Sequence, residues 1–175
     1  VYGLGDDMPA TPGCSPFKKD FHVQLCVRKS GKPGKVVTGP LDVCTFLKSK
    51  VGTDADRESF YSILLDTRNR PIGIEEVAKG SLSEVGVHPR EVFKSAIVAN
   101  AASMIIAHNH PSGDAKESQQ DVDLTARLVN VANMIGIPIR DHIIMGGSEC
   151  TSMRERYRDI DFGALPDVPD FRRKK

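Results

Sequence analysis

The spacing of apolar positions changes several times along the chain, and each change predicts an element. At 21–27, FHVQLCV alternates, with Phe21, Val23, Leu25 and Val27 on one side, which predicts a short strand. The surrounding residues, such as SGKPGK at 30–35, are rich in Gly, Pro and Lys and read as loop. From residue 41 the signals become regular. LDVCTFLKSKV predicts a helix with Leu41, Cys44, Leu47 and Lys48 on one face. FYSILLDTRNRPIGIEEV predicts two strands joined near Thr67–Arg70, with Pro71 at the start of the second. His88-Pro89 opens the next helix, with proline tolerated in its first turn, and Val92, Phe93, Ala96, Ile97 and Asn100 mark its face. SMIIAH at 103–108 is a continuous apolar run that fits a buried strand. After the loop NHPSGDAKE, Ser118 caps a long helix carrying Leu124, Leu128, Val131 and Ile135 at helical spacing, and Gly136 stops it. IPIRDHIIMGG supplies one or two final strands.

The order helix, hairpin, helix, strand, helix, strand predicts an α/β (α+β) fold with a mixed central sheet flanked by helices. It divides the chain into an N-terminal extension over 1–40, a domain over 41–160 and a basic tail over 161–175. There is no GxGxxG after a strand and no P-loop, so dinucleotide and NTP binding are not indicated.

Composition narrows the class. The chain has 175 residues, 39% of them hydrophobic, which is enough for a real core and too apolar for disorder. No apolar run approaches the ~18 residues of a membrane span, and the opening VYGLGDDMPATPGCSPFKKD lacks the apolar stretch of a secretory signal. A chain opening on Val1 rather than Met is read as a fragment or a processed product. Its 24 basic and 23 acidic residues leave a net charge of +1, not the strongly basic balance of a nucleic-acid binder. Arg154, Arg156 and Arg158, then Arg172 to Lys175, give a local basic cluster, read as a solvated tail. Cys14, Cys26, Cys44 and Cys150 are scattered without a CxxC pair. With no secretory signal, the expected setting is the cytoplasm, where thiols stay free.

The chemistry concentrates in IIAHNHPSGDAKESQQD at 105–121. His108 and His110 stand two apart at the end of an apolar strand. Alternate side chains of a strand share a face, with Cα atoms ~6.5–7 Å apart. Two imidazoles there can converge on one ion at Zn–N distances of ~2.0–2.1 Å. Pro111 and Gly113 turn the chain, and the helix opened by Ser118 brings Asp121 back in its first turn. Two histidines, one carboxylate and an open fourth position make the donor set of a catalytic zinc site. Ser118 and Asp121 also have a purely structural reading as helix cap and first-turn acid. Zinc brings the pKa of its water towards ~7, and a carboxylate must take the proton. Glu75 and Glu76 are the candidates, adjacent on a predicted strand and so on opposite faces. Alternation alone leaves the choice open.

These segments resemble, in order and spacing, the RadC family of JAB/MPN (JAMM) domains. The resemblance rests on LLDTRNRPI, KGSLSEVGVHPREVFKSAI, AHNHPSGD and IPIRDHIIMGG, and covers roughly residues 41–155. The broader JAMM pattern of Glu, HxHP and SxxD reads here as Glu75 or Glu76, His108-Asn109-His110-Pro111 and Ser118-Gln119-Gln120-Asp121. The resemblance implies a cytidine deaminase-like mixed sheet. It implies zinc on His108, His110 and Asp121, with water at the fourth position. It favours Glu75 as the base, since the family's acid tends to stand five residues before a glycine, here Gly80. Ser118 would stabilise the tetrahedral oxyanion through its hydroxyl. The implied reaction is hydrolysis of a peptide or isopeptide bond in a protein substrate. Three features depart from the pattern. No helix-hairpin-helix is found in 1–40, Glu117 stands where relatives often carry Pro, and Asn109 replaces the Ser or Thr of eukaryotic deubiquitinating relatives.

Two other readings follow from the same residues. One is a nucleic-acid-associated protein, as the family's DNA-repair name suggests. The other is a metal-bound scaffold without catalysis, against which Ser118 and a candidate glutamate speak. The contiguous letters HNH at 108–110 are not the HNH nuclease motif, which spreads those residues over a ββα unit. HxE with PCxxC is absent, which excludes a zinc deaminase, and HExxH is absent too. His142 is expected to support the site rather than ligate, and His22 and His88 are read as non-ligands.

Overall fold

A computed structural model describes residues 34–51, 56–80 and 87–162. The strand expected at 21–27 and most of the basic tail lie outside these residues.

The elements run α1 (Pro40–Val51), β1 (Ser59–Leu65), β2 (Pro71–Lys79), α2 (Pro89–Val98), β3 (Ser103–Asn109), α3 (Gln119–Ile135), β4 (Ile139–Gly146), β5 (Glu149–Ser152) and α4 (Met153–Arg156). The strands form one mixed sheet in the order β2-β1-β3-β4-β5. β1 pairs antiparallel with β2 and β3, β3 runs parallel to β4, and β5 returns antiparallel. This is the mixed sheet with flanking helices that the sequence predicts. No described helix is long and apolar enough to cross a membrane.

The β1–β2 turn shows why the hairpin forms where it does. Asp66 Oδ1 accepts the Arg68 and Arg70 amides, and Asn69 takes a positive φ of 54°, which Asn tolerates better than most residues. Pro71 then starts β2.

Strand alternation divides the interior into two cores. Phe60, Leu64, Met104, Ile106 and Ile144 face α2 and α3. Tyr61, Ile63, Ile105, Ala107 and Ile143 face α1, which contributes Val43, Cys44 and Leu47. The helical faces differ from the expected ones. Leu41 is 78% exposed and Ile97 59%, while Val43 is buried. On α3 the face against the sheet runs through Asp121, Thr125, Leu128, Val129 and Ala132, whereas Ile135 is exposed. Two polar residues thus occupy the inner face near the start of α3, where a hydrophobic pattern cannot find it. Phe162, assigned by sequence to the tail, is buried in the first core. Cys44 on α1 and Cys150 on β5 form a disulfide with Cα atoms 6.4 Å apart, a correction to the free thiols expected. The residues are 106 apart in sequence, so only the docking of α1 beside β5 brings them together.

Candidate metal centre

β3 lies in the middle of the sheet, between β1 and β4, so its C-terminal end is enclosed from both sides. Phe60 is the register partner of His108 on β1, and their rings stack at 8° with centroids 6.3 Å apart. His108 is completely buried. Beyond β3 the His110 amide continues the ladder by donating to Met145 C=O at 2.7 Å. The chain then turns, with the Gly113 amide donating to His110 C=O at 3.0 Å. His110 Nδ1 meets the carbonyl of Asp114 at 2.8 Å, which fixes the ring on its own loop. The loop passes so close over β4 that any Cβ at Gly146 would run into the Ala115 backbone.

Ser118 caps α3, and Asp121 completes a capping box. The Ser118 amide and hydroxyl both donate to Asp121 Oδ2 at 2.7 Å, while the Asp121 amide donates to Ser118 Oγ at 3.2 Å. The cap pins the carboxylate beside the histidines. Asp121 Oδ1 lies 3.1 Å from His108 Nε2, and Oδ2 lies 3.6 Å from His110 Nε2. The two Nε2 atoms are 2.9 Å from each other. The structure thus brings His108, His110, Asp121 and Ser118 into one cluster, and the cap reading of Ser118 and Asp121 holds alongside it.

The other ring nitrogens decide what those Nε2 atoms can do. Thr125 Oγ1 lies 2.5 Å from Asp121 C=O and 2.6 Å from His142 Nδ1. A carbonyl only accepts, so the hydroxyl proton goes to Asp121 and His142 Nδ1 donates to Thr125. Burial, then the charge of His108, holds the His142 pKa well below its ordinary value, so the ring is neutral and its Nε2 accepts. That Nε2 is 2.8 Å from His108 Nδ1, which therefore carries a proton. His110 Nδ1 faces only a carbonyl and carries one too. With Nδ1 of each ring already engaged, the Nε2 atoms of His108 and His110 are turned towards each other and towards a carboxylate. Such a cluster is repulsive unless positive charge sits between them, as protons or as a metal ion.

The electrostatics agree. The hydrogen bond with Asp121 raises His110 above its ordinary pKa against the opposing effect of burial. Burial pulls Asp121 upwards, but hydrogen bonds from His108, His110 and Ser118 and the charge of His108 outweigh it, holding the carboxyl well below its usual range.

The predicted glutamates stand elsewhere. Glu75 pairs with Ser62 on β1, whose β3 partner is Ile106 rather than a histidine. All of β1 separates it from β3, about 10 Å at two strand spacings. Its Oε2 is buried without a hydrogen-bond partner. Glu76 is exposed opposite Tyr61, on the other face. The acid brought to the histidines is Glu58. Continuing the β1–β3 register past Phe60 and His108 sets Glu58 opposite His110. Glu58, His108 and His110 offer ligand atoms all within 4.8 Å of one another, a group that could hold a metal ion. Glu58 replaces Glu75 as the acid beside the histidines. The signal in the sequence was an acid one strand step before FYSILL, legible only once β1 is known to pair with β3.

The sequence model of the RadC-like JAB domain matches residues 37–158, a span that contains every residue of this cluster. The chain belongs to the RadC-like JAB domain family. It is 44% identical over 120 residues to a UPF0758 protein of Clostridium beijerinckii, covering 69% of this chain and 52% of that protein. A UPF0758 protein of Moorella thermoacetica is 45% identical over 121 residues, with 69% and 52% covered. One from Methanosarcina mazei is 41% identical over 124 residues, with 71% and 54% covered. The chain spans about half the length of these curated relatives. The RadC-like domain thus carries a cluster whose donor set, two imidazoles and flanking carboxylates, could hold a metal ion.

Proposed function

We propose that the RadC-like domain is a zinc-dependent hydrolase that cleaves a peptide or isopeptide bond in a protein substrate. The observation that carries the reading is the 2.9 Å approach of two imidazole nitrogens beside a capped carboxylate. His108, His110 and Asp121 are the ligands. Asp121 suits that role because the α3 cap fixes it and the fold buries it. A zinc ion bound there supplies a Lewis acid that lowers the pKa of a water towards ~7 and polarises a carbonyl.

Glu58 is the general base. It is only partly buried, just before the start of β1, so it can take a proton from the attacking water and pass it to the leaving amine. Ser118 supplies a hydroxyl beside the ligands, and it donates to the developing oxyanion after turning from Asp121.

The test uses the full chain loaded with zinc, assayed against fluorogenic peptide- and isopeptide-linked substrates alongside elemental analysis. Glu58→Gln is expected to keep stoichiometric zinc and lose hydrolysis. Asp121→Ala is expected to lose most of the metal. Full zinc in Asp121→Ala, or undiminished turnover in Glu58→Gln, would overturn the assignment.

A further inference from the structure

A cavity of about 560 Å³ opens on the opposite face of the sheet from His108. It lies between the start of α1, the beginning of β4 and α4, within the size range of small-molecule sites. One side is apolar, formed by Val43, Leu65 and Ile105 from the α1-side core. The other carries Arg140, Arg154 and Arg158. Thr38, Gly39 and Pro40, at the N-terminal end of α1, also line it.

The negative charge in the cavity is smaller and mostly committed. Asp141 Oδ1 accepts the His142 amide at 2.7 Å and the Arg154 amide at 3.1 Å, and its Oδ2 accepts the Ser152 hydroxyl at 2.7 Å. Glu155 is exposed. Arg154 Nη1 donates to Arg140 C=O at 2.9 Å, so the two guanidinium-bearing residues are held side by side. Burial, then the nearby charge of Arg154, lowers the Arg140 pKa from its ordinary value. Three guanidinium groups beside an apolar wall match a ligand with one anionic end and one greasy end.

We propose that this cavity binds a small organic oxyanion, a phosphate or carboxylate group carried on a compact apolar body. The arginines take the oxyanion and the Val43–Leu65–Ile105 wall takes the body. The site is separate from the metal centre, and its occupancy does not depend on the hydrolase reading.

The experiment is amide NMR of the full chain titrated with inorganic phosphate, phenyl phosphate and benzoate. Saturable shifts are expected at Thr38–Val43 and Arg154–Arg158 and not at His108–Ser118. Phenyl phosphate or benzoate should bind ~10-fold tighter than inorganic phosphate, reflecting the apolar wall. Preference for phenyl phosphate assigns a phosphorylated ligand, and preference for benzoate a carboxylic acid. Arg154→Gln should weaken binding ~10-fold or more. Arg158→Gln, at an exposed position that leaves folding intact, should weaken it in the same direction. The absence of saturable shifts with all three probes up to about 10 mM, unchanged affinity in both variants, or no gain from the aromatic ring would each overturn the proposal.

Discussion

Asn109 grips the backbone on both sides of Glu58. Its Oδ1 accepts the Ser59 amide at 2.9 Å, and its Nδ2 donates to Arg57 C=O at 3.1 Å. The residue between the two histidines therefore acts across the sheet, since its side chain points away from theirs and reaches the chain that delivers the proposed base. Asn109→Ala should leave the ligands intact and loosen Glu58. Displacement of a catalytic group by about 1 Å costs up to ~100-fold in rate. The expected result is full zinc content with kcat lowered by ~10–100-fold, and a smaller loss in Asn109→Asp, which keeps the acceptor. Loss of zinc from Asn109→Ala would instead mark Asn109 as a support of the ligands.

The chain from His108 through His142 and Thr125 returns to Asp121, so two proposed ligands are tied by one directional set of hydrogen bonds. Partners of this kind fix ring tautomer and orientation, and their loss typically costs ~10–100-fold in metal affinity. His142→Phe fills the space but leaves the His108 Nδ1 proton buried without an acceptor. Zinc affinity, measured by competition with a chromophoric chelator, should fall by that factor. His142→Gln can accept from His108 and donate to Thr125, so it should recover part of the loss. Equal affinity in all three proteins would show that the relay does not orient the ligands.

The sequence made some of this legible for identifiable reasons. His108 ends a continuous apolar run with His110 two residues on, and Ser118 with Asp121 has the spacing of a capping box, so local geometry alone places them. Glu58 was hidden because its position depends on β1 pairing with β3 across more than 40 intervening residues, which no local period records. Thr125 was hidden for a related reason, and His142, expected to support the site, could not be given its partners from the sequence. They are polar residues on inward faces, and amphipathic patterns assign inward faces to apolar residues. The Cys44–Cys150 bridge likewise depends on tertiary docking.

Gly146 sets the height of the loop that carries His110. A Cβ there meets the Ala115 backbone, which cannot swing aside as a side chain could. Gly146→Ala should push the 110–117 segment off β4 and disturb the Met145 C=O bond to the His110 amide. Overpacking of this kind costs ~1–3 kcal/mol, readable as a lower urea midpoint. Zinc affinity should fall with it, whereas Gly39→Ala, with open space around the added Cβ, should change neither. A Gly146→Ala protein with unchanged zinc affinity would detach the loop height from the metal centre.

Asp66 gives a stability test remote from the metal centre. Burial raises its pKa, but bonds from the Arg70 backbone and side chain, the Arg68 amide and the Arg70 charge outweigh it, and the net shift is downwards. A carboxyl whose folded pKa lies below its unfolded value of ~3.9 stabilises the fold fully above that value. The contribution is lost as pH falls through the lower folded value. Arg70 Nη2 lies 2.7 Å from Asp66 Oδ2, with side chains 35% and 21% exposed, so solvent screening limits the charge effect to about 0.5–1 kcal/mol. Asp66→Asn should be less stable than the parent by that amount near pH 7 by urea unfolding. The gap should hold down to about pH 4 and close as the pH falls further. A gap that stays constant through the acid range would assign Asp66 to turn geometry alone, because the Asn amide oxygen can still accept the Arg68 and Arg70 amides.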